Sequence, residues 1–392
     1  MKRTVFIFGI LIILILAGVL AFLLIASDDQ KKDIFSAFDF GDGTDSAVIF
    51  DTIVDAITPG EDRLAALRQL TLKRVIGAIE LTPTASSTAT MVYYAEAGTG
   101  HIFSLDIVTG AENRLSNITV PAANEAVLSA RGDFAITLSG GRSDGRVLTL
   151  ITLPEGGREL SSITFSERVK QATLTTDGMV LYTTVAQNNL LGRSYDITSG
   201  QSRTIFTLPF KEATVRFPVG SKDSTYVYPK TAATLESYLY EINGGVLSRL
   251  PLSGYGLTAA AHENTVLLAA RQSGSYTSLL YDTTTKRKTP LSLNVIAEKC
   301  TFIGDAATLY CGSSFDVDVN TPIEWYQGIR TTRDNLFRVN GETGDMVNLI
   351  DLGETSQRDI DVRNLTGSLD AVRLYFINHI DGTLWIYDQS LQ

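Results

Sequence analysis

Hydrophobicity is distributed along this chain in two different ways. Residues 4–26, TVFIFGILIILILAGVLAFLLIA, run for 23 positions without a charge. As a helix this run reaches about 34 Å, enough to cross a bilayer core of about 30 Å. It reads as an uncleaved transmembrane signal-anchor, residues 1–26. The alternative is a cleaved signal peptide, whose apolar region is normally about 7 to 15 residues and ends in a small-x-small site. Here Leu24, Ile25 and Ala26 precede the polar break, and no cysteine follows that could carry a lipid anchor. Lys2 and Arg3 favour a cytoplasmic N-terminus, although Lys31 and Lys32 lie just past the other end. The expected arrangement is a single-pass protein whose remaining chain is extracytoplasmic.

From residue 27 to about 65 the sequence mixes acids, glycines and short apolar stretches without a period, and reads as a stalk. Asp39, Asp42 and Asp45 cluster there around two glycines, but without the alternate-residue spacing of a calcium hand, so a solvated turn explains them. Beyond the stalk, alternation takes over. One line recurs: a strand ending in an acid, followed by a turn. It reads FSLDIVTG at 103–110, RSYDITSG at 193–200, LYEINGG at 239–245 and LLYDTTTK at 279–286. FRVNGETG at 337–344 and WIYDQS at 385–390 continue it, with a degenerate LITLPEGG at 150–157.

With Asp106, Thr152, Asp196, Glu241, Asp282, Asn340 and Asp388 as landmarks, the spacings are 46, 44, 45, 41, 58 and 48 residues. An apolar run precedes each landmark strand (MVYYAEA, DFAITLSG, MVLYTTV, STYVYPK, NTVLLAA, ATLYCGS, RLYFINH), and a further strand follows it. Asp177-Gly178 and Asp381-Gly382 are among the hairpin turn signals. Units of this length, each a four-stranded antiparallel meander, are the signature of propeller blades. The expected fold is all-β: a seven-bladed β-propeller over 66–392, preceded by one transmembrane helix. The seventh unit ends after its third strand, and residues 68–74 resemble a fourth strand without a blade. Pairing the two closes the ring and removes exposed edges.

TTDGMVLYTT (175–184), SARGDFAIT (129–137) and LDIVTGAENRLSN (105–117) resemble the repeats of TolB-like and related WD-repeat-like propellers. The resemblance covers roughly 67–392 and implies the propeller fold together with binding of protein partners. The His and Trp-Asp signatures of true WD repeats are absent from this sequence, so their hydrogen-bond networks do not carry over.

Composition narrows the chemistry. The net charge of −10 leaves no basic footprint for nucleic acid. Two cysteines and three histidines, His101, His262 and His379, leave little for metal or histidine chemistry. No G-x-S-x-G elbow, P-loop or metal-binding His pair is present. His101 and His379 fall on strands or hairpin ends, where structural roles are expected. The expectation is therefore a non-enzyme without a cofactor or metal.

Cys300 and Cys311 lie equally far from a turn centred on Asp305-Ala306, which places them opposite one another on paired strands. They form a disulfide candidate in an oxidising compartment, with two buried thiols as the alternative. The 58-residue spacing points to about 15 extra residues between the second and third strands of unit six, within SSFDVDVNTPIEWYQGIRTTRD at 313–334. In a meander this connection shares a face with the loops leading into each first strand. Trp325, Tyr326 and Arg330 in this insert are residue types enriched at binding hot spots and are the partner-binding candidates. Alternatively Trp325 folds back to cover the blade. Asp316, Asp318 and Asn320 mimic the opening of a calcium hand, but Thr321 replaces its glycine and Gln327 its bidentate glutamate.

The sequence thus points to a membrane-anchored extracytoplasmic propeller that binds or scaffolds another envelope or surface protein. A carbohydrate-binding or carbohydrate-active propeller with a site at the central channel is the alternative, and a structural spacer the third reading. Carboxylates and aromatics converging at the channel mouth would favour the glycan reading.

Overall fold

The computed structural model describes residues 65–391, apart from 83–89, 142–144, 155–157, 219–223 and 305–307. The anchor at 1–26 and the stalk up to residue 64 lie outside the described residues. Among the described residues no helix is long and apolar enough to cross a membrane.

The strands form five antiparallel sheets, three of four strands and two of seven. Each seven-stranded sheet contains one long strand that serves two units. Ser161–Leu174 pairs through its first part with Arg146–Thr152 and through its last part with Met179–Ala186. Val246–His262 does the same between Glu236–Asn243 and Thr265–Gln272. Divided at these strands, the sheets resolve into seven four-stranded meanders, the blades. The last is Val362–Gly367, Arg373–Asn378 and Leu384–Asp388, and its fourth strand comes from the start of the propeller. Leu67–Gln69 pairs with Leu384–Asp388 in the register Leu67↔Tyr387, Gln69↔Trp385. This closing strand is shorter than the 68–74 expected. The chain leaves the sheet after the Leu70 N–H meets the Leu384 carbonyl, and Thr71 turns back to hydrogen-bond the Lys73 carbonyl at 3.0 Å.

Burial explains the alternation pattern. Blades pack face to face, so their second strands are covered on both sides and read as continuous apolar runs. In Met91–Glu96, residues 92 to 95 are all buried, whereas Glu112–Arg114, the fourth strand of the same blade, is wholly exposed. The core is accordingly not one cluster but a series, each between two neighbouring blades. Val92, Tyr94 and Phe103 of blade one pack on Tyr375, Ile377 and Ile386 of blade seven. Equivalent clusters join blades one and two, two and three, three and four, four and five, five and six, and six and seven. The first strands of successive blades touch, among them Val75–Glu80 with Ala123–Leu128 and with Val362–Gly367. These first strands line the inside of the ring.

Candidate functional site

The insert builds a cap on one face. Its first turn is organised by Asp318, whose Oδ1 accepts the N–H groups of Asn320 and Thr321, each at 2.9 Å. The aspartate that mimicked a calcium ligand thus closes the turn leading into the helix Thr321–Tyr326, which has Pro322 in its first turn, where a missing N–H costs nothing. The helix brings Trp325 inward. Trp325 is 6% exposed and packs with Val317, Ile296 and Tyr276, so the insert has a small core of its own against blade five.

Trp325 is therefore a buried brace, as in the fold-back alternative, and not an exposed side chain. The physical reason is its indole N–H, which finds a buried acceptor. It donates to both carboxylate oxygens of Asp361, at 2.9 and 3.0 Å. Asp361 in turn receives the ammonium of Lys299, which also donates to Asp334 Oδ2 at 2.7 Å and to Thr332 Oγ1. Lys299, Asp334 and Asp361 are 1%, 0% and 0% exposed in their side chains. His379 lies edge-on to Trp325 at 5.0 Å, with its Nδ1 3.4 Å from Asp361. One ammonium thus ties the segment before the first strand of blade six to the insert and to the segment before blade seven.

The two carboxylates of this cluster diverge. Burial raises Asp361, but the adjacent His379 ring, hydrogen bonds from Lys299 and Trp325 and the Lys299 charge outweigh it, so Asp361 titrates below the ordinary carboxylate range. Burial also raises Asp334, and the Asp361 charge adds to it. The Lys299 charge offsets this only in part, so Asp334 stays above that range.

A second polar cluster adjoins the first. Glu298, the residue before Lys299, pairs with Arg216 from the first strand of blade four and accepts the Tyr228 hydroxyl at 3.0 Å. Arg216 also donates to the Ala259 carbonyl in blade five at 2.8 Å and to the Tyr228 oxygen at 3.2 Å. Tyr326 extends from the insert toward this group. The residue as a whole is 42% exposed, yet its hydroxyl is pushed well above the ordinary tyrosine range by burial and by the neighbouring Glu298 carboxylate. Burial likewise raises Tyr228, and Glu298 adds to this. Blades four, five and six and the insert thus converge on one network of a carboxylate, a guanidinium and tyrosine hydroxyls.

Arg330 is not a free cation. It pairs with Asp316, Asp318 and Glu324 at 3.1, 3.6 and 3.7 Å and holds the insert closed on itself. The insert's most exposed apolar residues were not singled out in the sequence: Phe315 at 73% and Ile329 at 72%, against 42% for Tyr326. Cys300 and Cys311 are register partners on neighbouring strands, with a Cα separation of 4.1 Å and a sulfur–sulfur bond of 2.06 Å. Among the described residues no group of three His, Cys, Asp or Glu is placed to hold a metal ion. His101 serves structure: its Nε2 lies 3.0 Å from Thr119 Oγ1 and 2.9 Å from Arg114.

Neither a protein-family model nor a curated protein matches the sequence. Solved structures do match. An oligogalacturonate lyase in complex with manganese aligns with a TM-score of 0.54 at 12% identity, over 83% of this chain and 94% of that one. The β-propeller domain of the Trilobed protease from Pyrococcus furiosus, described as having an open velcro topology, aligns with a TM-score of 0.51 at 11% identity, over 79% and 95%. The first corrects the expectation of a non-enzyme: an enzyme is built on this architecture, so scarce histidine and the lack of a known motif do not make the chain non-catalytic. The manganese of that structure has no fitting ligand set among the described residues here. What this chain shares with both is the β-propeller fold, and at these identities the likeness extends no further.

Proposed function

We propose that the chain is a membrane-anchored, extracytoplasmic β-propeller of the TolB-like kind, whose capped face binds another protein of the cell envelope or surface. The anchoring rests on the uncharged run at 4–26, with the N-terminus cytoplasmic. One observation carries the binding role: the insert is braced from beneath by Trp325, Asp361 and Lys299 while Phe315 and Ile329 are largely exposed. A rigid platform that holds aromatic and aliphatic groups in water has already met much of the ordering cost of association. Large exposed apolar groups set together mark interaction sites. The direct test is a crosslinking pull-down with the full chain, comparing wild type with Phe315→Ser/Ile329→Ser. These positions are exposed, so the variant keeps the brace that deleting the insert would destroy. Undiminished recovery of the same crosslinked partners by the variant would sink the reading.

A glycan ligand is the second reading, favoured by the convergence of Glu298, Arg216, Tyr228 and Tyr326. Hydroxyl, carboxylate and guanidinium groups in one network suit a polyhydroxylated ligand, and a lyase of oligogalacturonate shares the fold. Titration with uronate and neutral oligosaccharides, followed by tyrosine and tryptophan fluorescence, separates the readings. A response abolished by Tyr326→Ala favours the glycan.

A further inference from the structure

We infer that the segment docking on the insert is a basic, apolar stretch of polypeptide, with lysine or arginine interleaved among leucine-type side chains. This deepens the protein-binding reading above and rests on it. Arg330 supplies the geometry. Its guanidinium holds the Asp316 carbonyl at 3.2 Å and the Asp316 carboxylate at 3.1 Å, and lies 3.7 Å from Glu324. Phe315 is the chain neighbour of Asp316 and Ile329 that of Arg330, so exposed apolar side chains flank the ion pair.

The charge of the patch is unbalanced. Three carboxylates surround one guanidinium, and exposure is unequal: the side chains of Asp316, Asp318 and Glu324 are 72%, 56% and 39% exposed, against 27% for Arg330. A partner arriving from solvent meets carboxylates first. Hydrogen bonds from Ser314 and Arg330 hold Asp316 below the usual carboxylate range, so the negative charge persists at neutral pH. Neutralisation has a specific form here, because Arg330 is shared among three acids and leaves two charges uncompensated. A cationic group placed at the rim gains Coulomb energy there, while its apolar neighbours cover Phe315 and Ile329. An acidic partner, or an anionic lipid surface, is repelled by the same carboxylates.

The test uses full-length protein and three synthetic peptides of equal length and leucine content, with lysine, glutamine or glutamate at the polar positions. Binding is read by fluorescence anisotropy. The lysine peptide is expected to bind most tightly. Phe315→Ser/Ile329→Ser is expected to weaken it by about tenfold or more. Asp316→Asn/Glu324→Gln should weaken it by about three- to tenfold, as should raising the salt from about 0.05 to about 0.5 M. The acid substitutions are isosteric and exposed, and circular dichroism checks that the fold is kept. If the glutamine or glutamate peptide binds as tightly as the lysine peptide, and Phe315→Ser/Ile329→Ser still weakens it, the charge assignment is overturned while the binding face stands. If no peptide responds to Phe315→Ser/Ile329→Ser, the insert is not a binding face, and the underlying reading falls with it. Preferential binding to phosphatidylcholine/phosphatidylglycerol vesicles through Phe315 and Ile329 would also overturn the proposal, in favour of a membrane surface.

Discussion

Four blades turn from third to fourth strand on one residue plan. Asp106, Asp196, Asp282 and Asn340 each accept two backbone N–H groups, from the residues two and three places on. These are four of the seven landmarks from which the repeat was counted, and they were legible because the turn chemistry is local: a side chain two bonds from the backbone it caps. The residue four places on takes positive φ, as Gly110, Gly200, Lys286 and Gly344. Two of these glycines separate conformation from space. A Cβ on Gly200 would meet nothing nearer than the Tyr195 hydroxyl at 3.8 Å, whereas one on Gly344 would lie 2.1 Å from the Pro290 carbonyl oxygen. Gly200→Ala should therefore cost only the left-handed penalty, about 1 kcal/mol. Gly344→Ala must also push the fourth strand of blade five aside, and should cost roughly 3 kcal/mol or more. Urea midpoints of the two variants measure the difference. Equal losses would mean that blades five and six are not in contact at Gly344.

At the scale of elements, the insert's fate was not legible. Its length and place between the second and third strands followed from the spacing of the landmarks. Its inward tryptophan did not, because the groups that hold it lie far off in sequence. Lys299 is 35 residues from Asp334 and 62 from Asp361, and neither aspartate sits in a motif. Cys300 and Cys311 were legible for the opposite reason, since one hairpin fixes their register. The buried cluster makes an unequal prediction for two residues that a sequence treats alike. Asp361 accepts from Trp325, Lys299 and Thr332, so Asp361→Asn turns an amide toward donors and leaves the buried ammonium with Asp334 as its one remaining carboxylate. A loss of about 3–5 kcal/mol is expected. Asp334 has one oxygen without a hydrogen-bond partner, and its pKa is raised, so its charge is a cost at neutral pH. Asp334→Asn should therefore change stability by no more than about 1 kcal/mol. Because the folded-state pKa of Asp361 is depressed, its contribution is full above the unfolded value of about 3.9 and is lost as pH falls through the folded value. Denaturation scans from neutral pH to about pH 3 should show an acid-side loss in wild type that is reduced in Asp361→Asn.

At the scale of the whole molecule, the blade count followed from the landmark spacing, and the return of the early strand from a seventh unit one strand short. That reasoning works because an open sheet edge is costly wherever it can pair with something else. It stops at the position of the closing strand, since local preference in LRQLTLKR does not say where pairing ends. Leu67 decides it, packing with Trp385 and Tyr387 in the cluster between blades six and seven. The closing strand is three residues long and adds one side chain to that cluster, so closure extends a core already built between the blades. The contribution of the closing strand should therefore be an increment and not a switch. Leu67 is the discriminating position, being 7% exposed and the first residue of that strand. Leu67→Ala leaves the backbone pairing of Leu67–Gln69 available and removes only the side chain, which predicts a loss of about 2–4 kcal/mol. Arg68→Pro instead removes the strand N–H, which the Ala66–Asp388 and Leu70–Leu384 bonds on either side aim at Ile386, so it should release the strand and expose the edge of Leu384–Asp388. That edge carries Trp385 and Tyr387. The proline variant should therefore keep a native-like circular dichroism spectrum while associating in a concentration-dependent way, which the alanine variant should not. Sedimentation velocity on the two decides the matter: association of both or of neither would mean that the seam contributes packing alone.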